Sequence, residues 1–226
     1  MSSGVTLSSS QSSSQRPPTV EAGRSGGADG NERLTALTGA VLLLLLAAEG
    51  VTILRLGRLL TAHFFIGMLL LGPVALKAGS VMYRFTRYYS GNAEYHRKGP
   101  PALLLRLLGP VIIAATAGVF GTGIALAVAG PAGRQPWLFL HKGSFIVWFG
   151  AMLIHVLWYL PRVGRLLAAE AGGGGHGSHR AVSRAAAVVG GRGVRLSLLA
   201  AALLAGLVIA LLTVHLAAPW HLRSFG

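Results

Sequence analysis

The chain contains no cysteine, which excludes disulfides, thiolate catalysis, iron–sulfur clusters and the Cys-x-x-Cys-His attachment of c-type haem. It is also short of charge. Only 12% of its 226 residues are charged, with 6 acidic residues against 20 basic ones, about half the usual charged share. A soluble domain of this length needs a polar shell and a disordered chain needs low hydrophobicity, and neither agrees with 53% apolar residues and a mean hydropathy of +0.61. The bilayer is the expected solvent. The net charge of +14 does not point to nucleic acid, because the basic residues lie between long apolar runs and form no basic face.

Residues 1–32, rich in Ser, Gly and Gln with Pro17 and Pro18, bury too little apolar area to offset the entropy of ordering and read as a disordered cytoplasmic tail. The first apolar run starts near Leu34, too far into the chain for a signal peptide, and is expected to remain as a membrane helix. Five runs reach the length of roughly 20 residues that spans a hydrocarbon core, at 34–54, 60–83, 107–129, 137–160 and 196–217. The first two are joined only by Arg55 to Leu59 and must form an antiparallel hairpin. Pro73 and Pro110 fall in or at the ends of spans and are expected to kink them.

Lys and Arg in the connecting segments set orientation. Arg84, Arg87, Arg97, Lys98 and Arg106 follow the second run, and Arg162, Arg165, Arg180, Arg184, Arg192 and Arg195 follow the fourth. Both segments are expected in the cytoplasm. The alternate connections hold only Arg55 and Arg58, then Arg134, which predicts an N-in, C-out protein of the inner (cytoplasmic) membrane. The organisation expected is all-α: a four-helix transmembrane bundle at 33–161, a flexible basic Gly-rich cytoplasmic loop at 162–195, a peripheral fifth transmembrane helix at 196–217 and a short outer tail at 218–226. His176 and His179 read as solvated loop residues.

An ionisable side chain inside a span costs at least a few kcal/mol and is a functional candidate by default. The spans carry Glu49 on the first, His63 and Lys77 on the second, His141, Lys142 and His155 on the fourth and His215 on the fifth. The second and fourth run in the same direction, so His63 and His141, each about one turn into its helix, share a level near the outer face, and Glu49 joins them. Lys77 and His155 each follow by 14 residues, about 21 Å deeper at about 1.5 Å per residue, which makes a second polar layer near the inner face. Fourteen residues turn a helix to within about 40° of a whole number of turns, so His141 and His155 share one side of their helix.

Two neutral imidazoles at matching depth on parallel helices are what axial ligation of a b-type haem requires; a cofactor-free polar cluster or a pair of interface histidines is the other reading of His63 and His141. Gly67, Ser144, Gly118, Gly121 and Gly123 supply small neighbours at that depth, a pattern that ordinary small-residue helix packing also produces. Glu49 has two readings, hydrogen-bonding a ligand histidine or pairing with Arg55 or Arg58. In the inner layer His155 has no histidine opposite it. His96 folding back from the loop, or Lys77 and His155 together contacting a quinone headgroup or a haem propionate, stand beside a plain buried pair. Tyr83, Tyr88, Tyr89, Tyr95, Trp158 and Tyr159 form an interfacial aromatic belt or border a quinone site.

His63 opening the second span, with the run from His141-Lys142-Gly143-Ser144-Phe145 to His155-Val156-Leu157-Trp158-Tyr159-Leu160 on the fourth, resembles the bacterial integral membrane cytochrome b superfamily. That superfamily includes ferric-reductase-like proteins and the cytochrome b subunits of hydrogenases and formate dehydrogenases. Glu49-Gly50-Val51-Thr52, Lys77-Ala78-Gly79-Ser80, Tyr83-Arg84-Phe85, Arg87-Tyr88-Tyr89 and Lys98-Gly99-Pro100-Pro101 are similar to an uncharacterised group of bacterial integral membrane proteins. The resemblance covers residues 34–161. It implies a haem-binding four-helix bundle passing electrons between membrane quinol and a partner oxidoreductase on the outer face, with His63 and His141 as axial ligands. The di-haem members place a second histidine where this chain has Lys77, so one haem b is implied and a second is left open. A homodimer is left open too. The competing expectation is a cofactor-free multi-pass protein, a small transporter subunit or assembly factor, disfavoured because Glu49 is the sole carboxylate in any span. A zinc protease is disfavoured by the lack of a His-Glu-x-x-His motif.

Overall fold

A computed structural model describes residues 28–93, 95, 103–172 and 178–221. Helix α1 spans Ala28–Leu54, α2 Leu56–Tyr89, α3 Leu103–Ala129, α4 Trp137–Gly172 and α5 Ser178–Thr213, followed by a 3-10 turn at Val214–Ala217 and a last turn of helix, α6, at Ala218–His221. No strand occurs among the described residues. Each of α1 to α5 contains a stretch long and apolar enough to cross a membrane, and their large apolar side chains face outward, Leu54 at 80% exposure and Phe139 at 75% among them. That inversion suits a protein whose solvent is lipid.

The corner between α1 and α2 is as tight as expected. Arg55 leaves helical geometry (φ −129°, ψ 36°), Leu59 does so again (φ −112°, ψ 20°), and the N–H groups of Arg58 and Leu59 both donate to the Arg55 carbonyl. The chain reverses within one turn. Between α3 and α4 the reversal uses Gly130 at φ +64°, a conformation that a side chain would oppose. Pro73 and Pro110 lie inside helices, and the non-helical backbone within α2 is at Leu59, not at Pro73.

Helix α2 is the centre of the molecule. It packs along α1 on one side and along α5 on another, while α3 and α4 pack on each other as a separate hairpin. The fifth helix is therefore not peripheral, which corrects the sequence expectation. Its seam with α2 is built from glycine: a Cβ on Gly72 would run into the Ala202 carbonyl, and one on Gly206 into the Leu69 carbonyl. Pro73, fully buried here, has no N–H to offer that Leu69 carbonyl four residues back. The Cα of Gly206 lies against the same oxygen, so the residue that disrupts the α2 ladder and the residue that admits α5 are neighbours.

The segment 162–195, expected as a flexible loop, is also largely helical: α4 continues to Gly172 and α5 starts at Ser178. Ala-rich sequence around 181–187 has high helix propensity, which outweighs the glycines that suggested a linker. The tail expectation for residues 1–27 and the segment 222–226 lie outside the described residues, and residues 28–32 already belong to α1.

Between the α1–α2–α5 layer and the α3–α4 hairpin, backbone approaches among the described residues are few, and the most extensive are those of α2 and the Val214–Ala217 turn with α3. Side chains cross between the two, and the histidines are among them.

Candidate functional site

Four helices contribute to one cluster at the end of the molecule where α1 turns into α2. Helix α1 supplies Glu49 and Thr52, α2 supplies His63, α3 supplies Thr122 and the Val119 carbonyl, and α4 supplies His141 and Ser144. The ring centroids of His63 and His141 lie 6.5 Å apart with their planes at 77°. Residues separated by 78 positions in sequence thus meet across the gap between the two layers.

Both rings are tethered through the same nitrogen. His63 Nδ1 lies 2.9 Å from Glu49 Oε1 and 3.1 Å from Thr52 Oγ1. His141 Nδ1 lies 3.1 Å from the Val119 carbonyl oxygen and 3.3 Å from Thr122 Oγ1. Of the two readings of Glu49, the contact made is with His63; its side chain is 13% exposed, and Thr52 Oγ1 lies 3.3 Å from its second carboxylate oxygen. Engaging Nδ1 on each ring leaves Nε2 as the nitrogen for a further partner, the usual arrangement of a metal-bound imidazole.

The glycines at this level accommodate the site's own side chains. A Cβ on Gly123 would sit 3.1 Å from His141 Cε1, one on Gly118 would sit 3.3 Å from Ser144 Cβ, and one on Gly67 would sit 3.5 Å from Glu49 Oε1. Gly121 alone among the four has open space beside it, with nothing within 4 Å.

The inner layer is arranged differently. Lys77 Nζ donates to the Thr35 carbonyl at 2.6 Å and fills the space left by the missing side chain of Gly39. Thr35 and Ser80 hydroxyls lie 2.9 Å apart, and the Asn31 amide donates to the Ser80 carbonyl at 3.0 Å. This network joins α1 to α2. His155 comes from α4 on the far side of the gap, within electrostatic range of Lys77. Lys142 and His215 are exposed. His96 and His176 lie outside the described residues, and His179 falls near the start of α5.

Of the aromatic belt, Tyr83 and Tyr95 meet edge to face at 6.2 Å, Tyr88 and Tyr89 at 5.2 Å, and Arg106 donates to the Tyr89 hydroxyl at 3.2 Å. These residues gather where α2 leaves its apolar stretch. They lie along α2 from the histidine pair by more than five turns.

Thr52, Thr122 and the Val119 carbonyl went unassigned in the sequence. Thr52 stands three residues after Glu49, one helical turn, which is a usable signal. Thr122 sits between Gly121 and Gly123, and only the packing of α3 on α4 shows that its hydroxyl faces His141. Comparison with known proteins brings no relative to bear: no family model, no curated protein and no solved structure matches the chain.

Among the described residues no three His, Asp or Glu side chains converge as ligands for a metal ion. The donor set is a pair. Two imidazoles alone hold a free ion poorly, since structural and catalytic sites of borderline metals use three or four protein ligands. A pair suffices for a metal that brings its own equatorial ligands, as in a metalloporphyrin.

Proposed function

We propose that the protein is a membrane-embedded b-type cytochrome that holds one haem b between α2 and α4, with His63 and His141 as axial ligands. It serves as an electron-transfer subunit between membrane quinol and a partner oxidoreductase. The observation that carries this reading is the histidine pair: two imidazoles from opposite layers, both tethered through Nδ1, with centroids 6.5 Å apart. With Nδ1 of each ring already engaged, His63 and His141 would each offer Nε2 to the metal of such a group. The residues fit the group.

Bound haem would supply one-electron transfer. The chain's own contribution is positional. Glu49 and the Val119 carbonyl hold the two rings by Nδ1, and Gly123 leaves room for the His141 ring. The basic connections support an N-in, C-out orientation in an inner membrane with the histidine level toward the outer face, and the partner oxidoreductase would dock on that side. The inner layer offers His155 opposite Lys77, a residue already bonded to α1, and so supports a single haem. A quinone headgroup at that inner end remains part of the proposal, through His155 and the tyrosines beyond it.

The test is a reduced-minus-oxidised visible spectrum of the detergent-purified protein with haem quantified per chain, for wild type, His63→Ala and His141→Ala. The expected result is a b-type signal near one haem per chain, lost in both variants while their helical content is retained. A colourless wild type after expression with added haem precursor overturns the reading, and a stoichiometry of two overturns the single-haem assignment.

A further inference from the structure

Each histidine of the pair has a threonine beside it, and the hydrogen positions of the two threonines can be worked out from what they touch. A hydroxyl has one proton and two lone pairs, and a carbonyl oxygen only accepts. Thr52 Oγ1 lies 2.6 Å from the Glu49 carbonyl, and Thr122 Oγ1 lies 2.5 Å from the Gly118 carbonyl. These are the shortest contacts either hydroxyl makes, so each proton is committed to its own helix, one turn back. Toward the imidazole, at 3.1 Å for His63 and 3.3 Å for His141, each threonine turns a lone pair.

The other neighbour of each Nδ1 is acceptor-only as well: the Glu49 carboxylate for His63 and the Val119 carbonyl for His141. A bare Nδ1 would face two oxygen lone pairs on either ring. A protonated Nδ1 is shared between them. Helices α1 and α3 therefore arrive at the same solution by different routes.

Resting on the haem reading, we infer that Thr52 and Thr122 are matched positioning residues that hold His63 and His141 in the Nδ1–H form, with Nε2 bare on both rings. The site is thereby preset for a ligand that accepts two nitrogen lone pairs, a metal centre open at two opposite positions. It is preset against a ligand that needs N–H donors from Nε2, such as a quinone carbonyl. The two ends are unequal, because the His63 proton is shared with a charged carboxylate and the His141 proton with neutral oxygens, which makes His63 the more electron-donating ligand.

The test combines two measurements on wild type, Thr122→Val and Thr122→Ser. The first is nitrogen-15 NMR of labelled histidines in the cofactor-free protein, which reads the tautomer directly, and the second is titration with haemin. Wild type is expected to show Nδ1–H on both rings. Thr122→Val, nearly isosteric, is expected to lower the Nδ1–H share at His141 but not at His63 and to weaken haemin binding about 10-fold, and Thr122→Ser to restore both. Thr52→Val is expected to act in the same way on His63 alone. An Nε2–H tautomer in the wild type, or valine variants that bind haemin as wild type does with unchanged tautomers, overturns the inference and leaves the haem reading standing. Locked Nδ1–H tautomers in a wild type that binds no haemin uphold the tautomer assignment and overturn the haem reading.

Discussion

Helix α2 meets its neighbours in two opposite ways. Against α5 it is in backbone contact, with Gly72 and Gly206 so close that neither tolerates a Cβ. Toward α3 and α4 it stands off, and the gap is crossed by side chains, His63 toward His141 foremost. In lipid no hydrophobic force drives helices together, so close packing of small residues holds the first seam. The second seam lacks that packing and has in its place a pair of directed nitrogen donors. One face of α2 is scaffold, and the other is the face on which the haem proposal rests, where binding would not have to force apart closely packed helices.

The largest test of this contrast is a bulky residue in the tight seam. Gly206→Leu places four carbons where the Leu69 carbonyl already stands, and the backbones of α2 and α5 must separate. Overpacking in a well-packed interior costs about 1–3 kcal/mol or more, and here the obstruction is backbone, which cannot yield by changing rotamer. The expected outcome is loss of monodisperse protein in size-exclusion chromatography and a large drop in thermal stability. Gly121→Ala, at an exposed position of α3 with nothing within 4 Å of the added Cβ, is expected to change neither. Equal tolerance at the two positions would break the comparison.

Next in size is Gly123→Ala. Its Cβ would come 3.1 Å from the His141 ring, so the ring must shift by a few tenths of an ångström while its helix stays in place. Haem content is expected to fall several-fold with helical content and thermal stability near wild type, read by pyridine haemochrome assay and circular dichroism. A fall in stability without loss of haem would make Gly123 a packing residue of the α3–α4 hairpin only.

Glu49→Gln should act more finely. The carboxylate draws the His63 Nδ1 proton toward itself and increases electron density at Nε2, which favours the oxidised metal. Removing the charge at constant shape is expected to raise the midpoint potential on the order of 60 mV, a tenfold shift in a one-electron equilibrium, with haem retained. An unchanged potential in a redox titration would reduce Glu49 to a helix-packing contact between α1 and α2.

The same contrast explains what could be read from residues alone. Span number, the hairpin at Arg55–Leu59 and the common level of Glu49, His63 and His141 follow from run lengths and helical rise, which are local properties. The role of α5 does not. A Gly-rich stretch ahead of an apolar run looks like a linker to a loose helix, and only the pairing of Gly72 with Gly206, 134 residues apart, makes α5 part of the core. The histidine tethers divide in the same way: Glu49 and Thr52 lie one turn apart on α1 and show a pattern, whereas Val119 and Thr122 reach His141 through the packing of α3 on α4. Contacts within a helix are legible from spacing; contacts between helices depend on which faces meet.

The smallest effect should come from Lys77, and its smallness is informative. Lys77 was a candidate for binding an inner cofactor or quinone, yet its ammonium donates to the Thr35 carbonyl and occupies the hollow over Gly39, within the α1–α2 seam. Interhelical hydrogen bonds in membrane proteins contribute about 0.6 kcal/mol on average and at most about 1.7. Lys77→Met keeps the length of the side chain and removes the donor, so the expected outcome is a loss of stability in that range with the haem spectrum and midpoint potential unchanged. The comparison then sharpens to one functional seam at the histidine level and one structural network beneath it. A shifted potential in Lys77→Met would instead show that a charge about 21 Å along α2 from His63 is felt at the histidine level through the low-dielectric interior, and the two layers would then be electrostatically coupled.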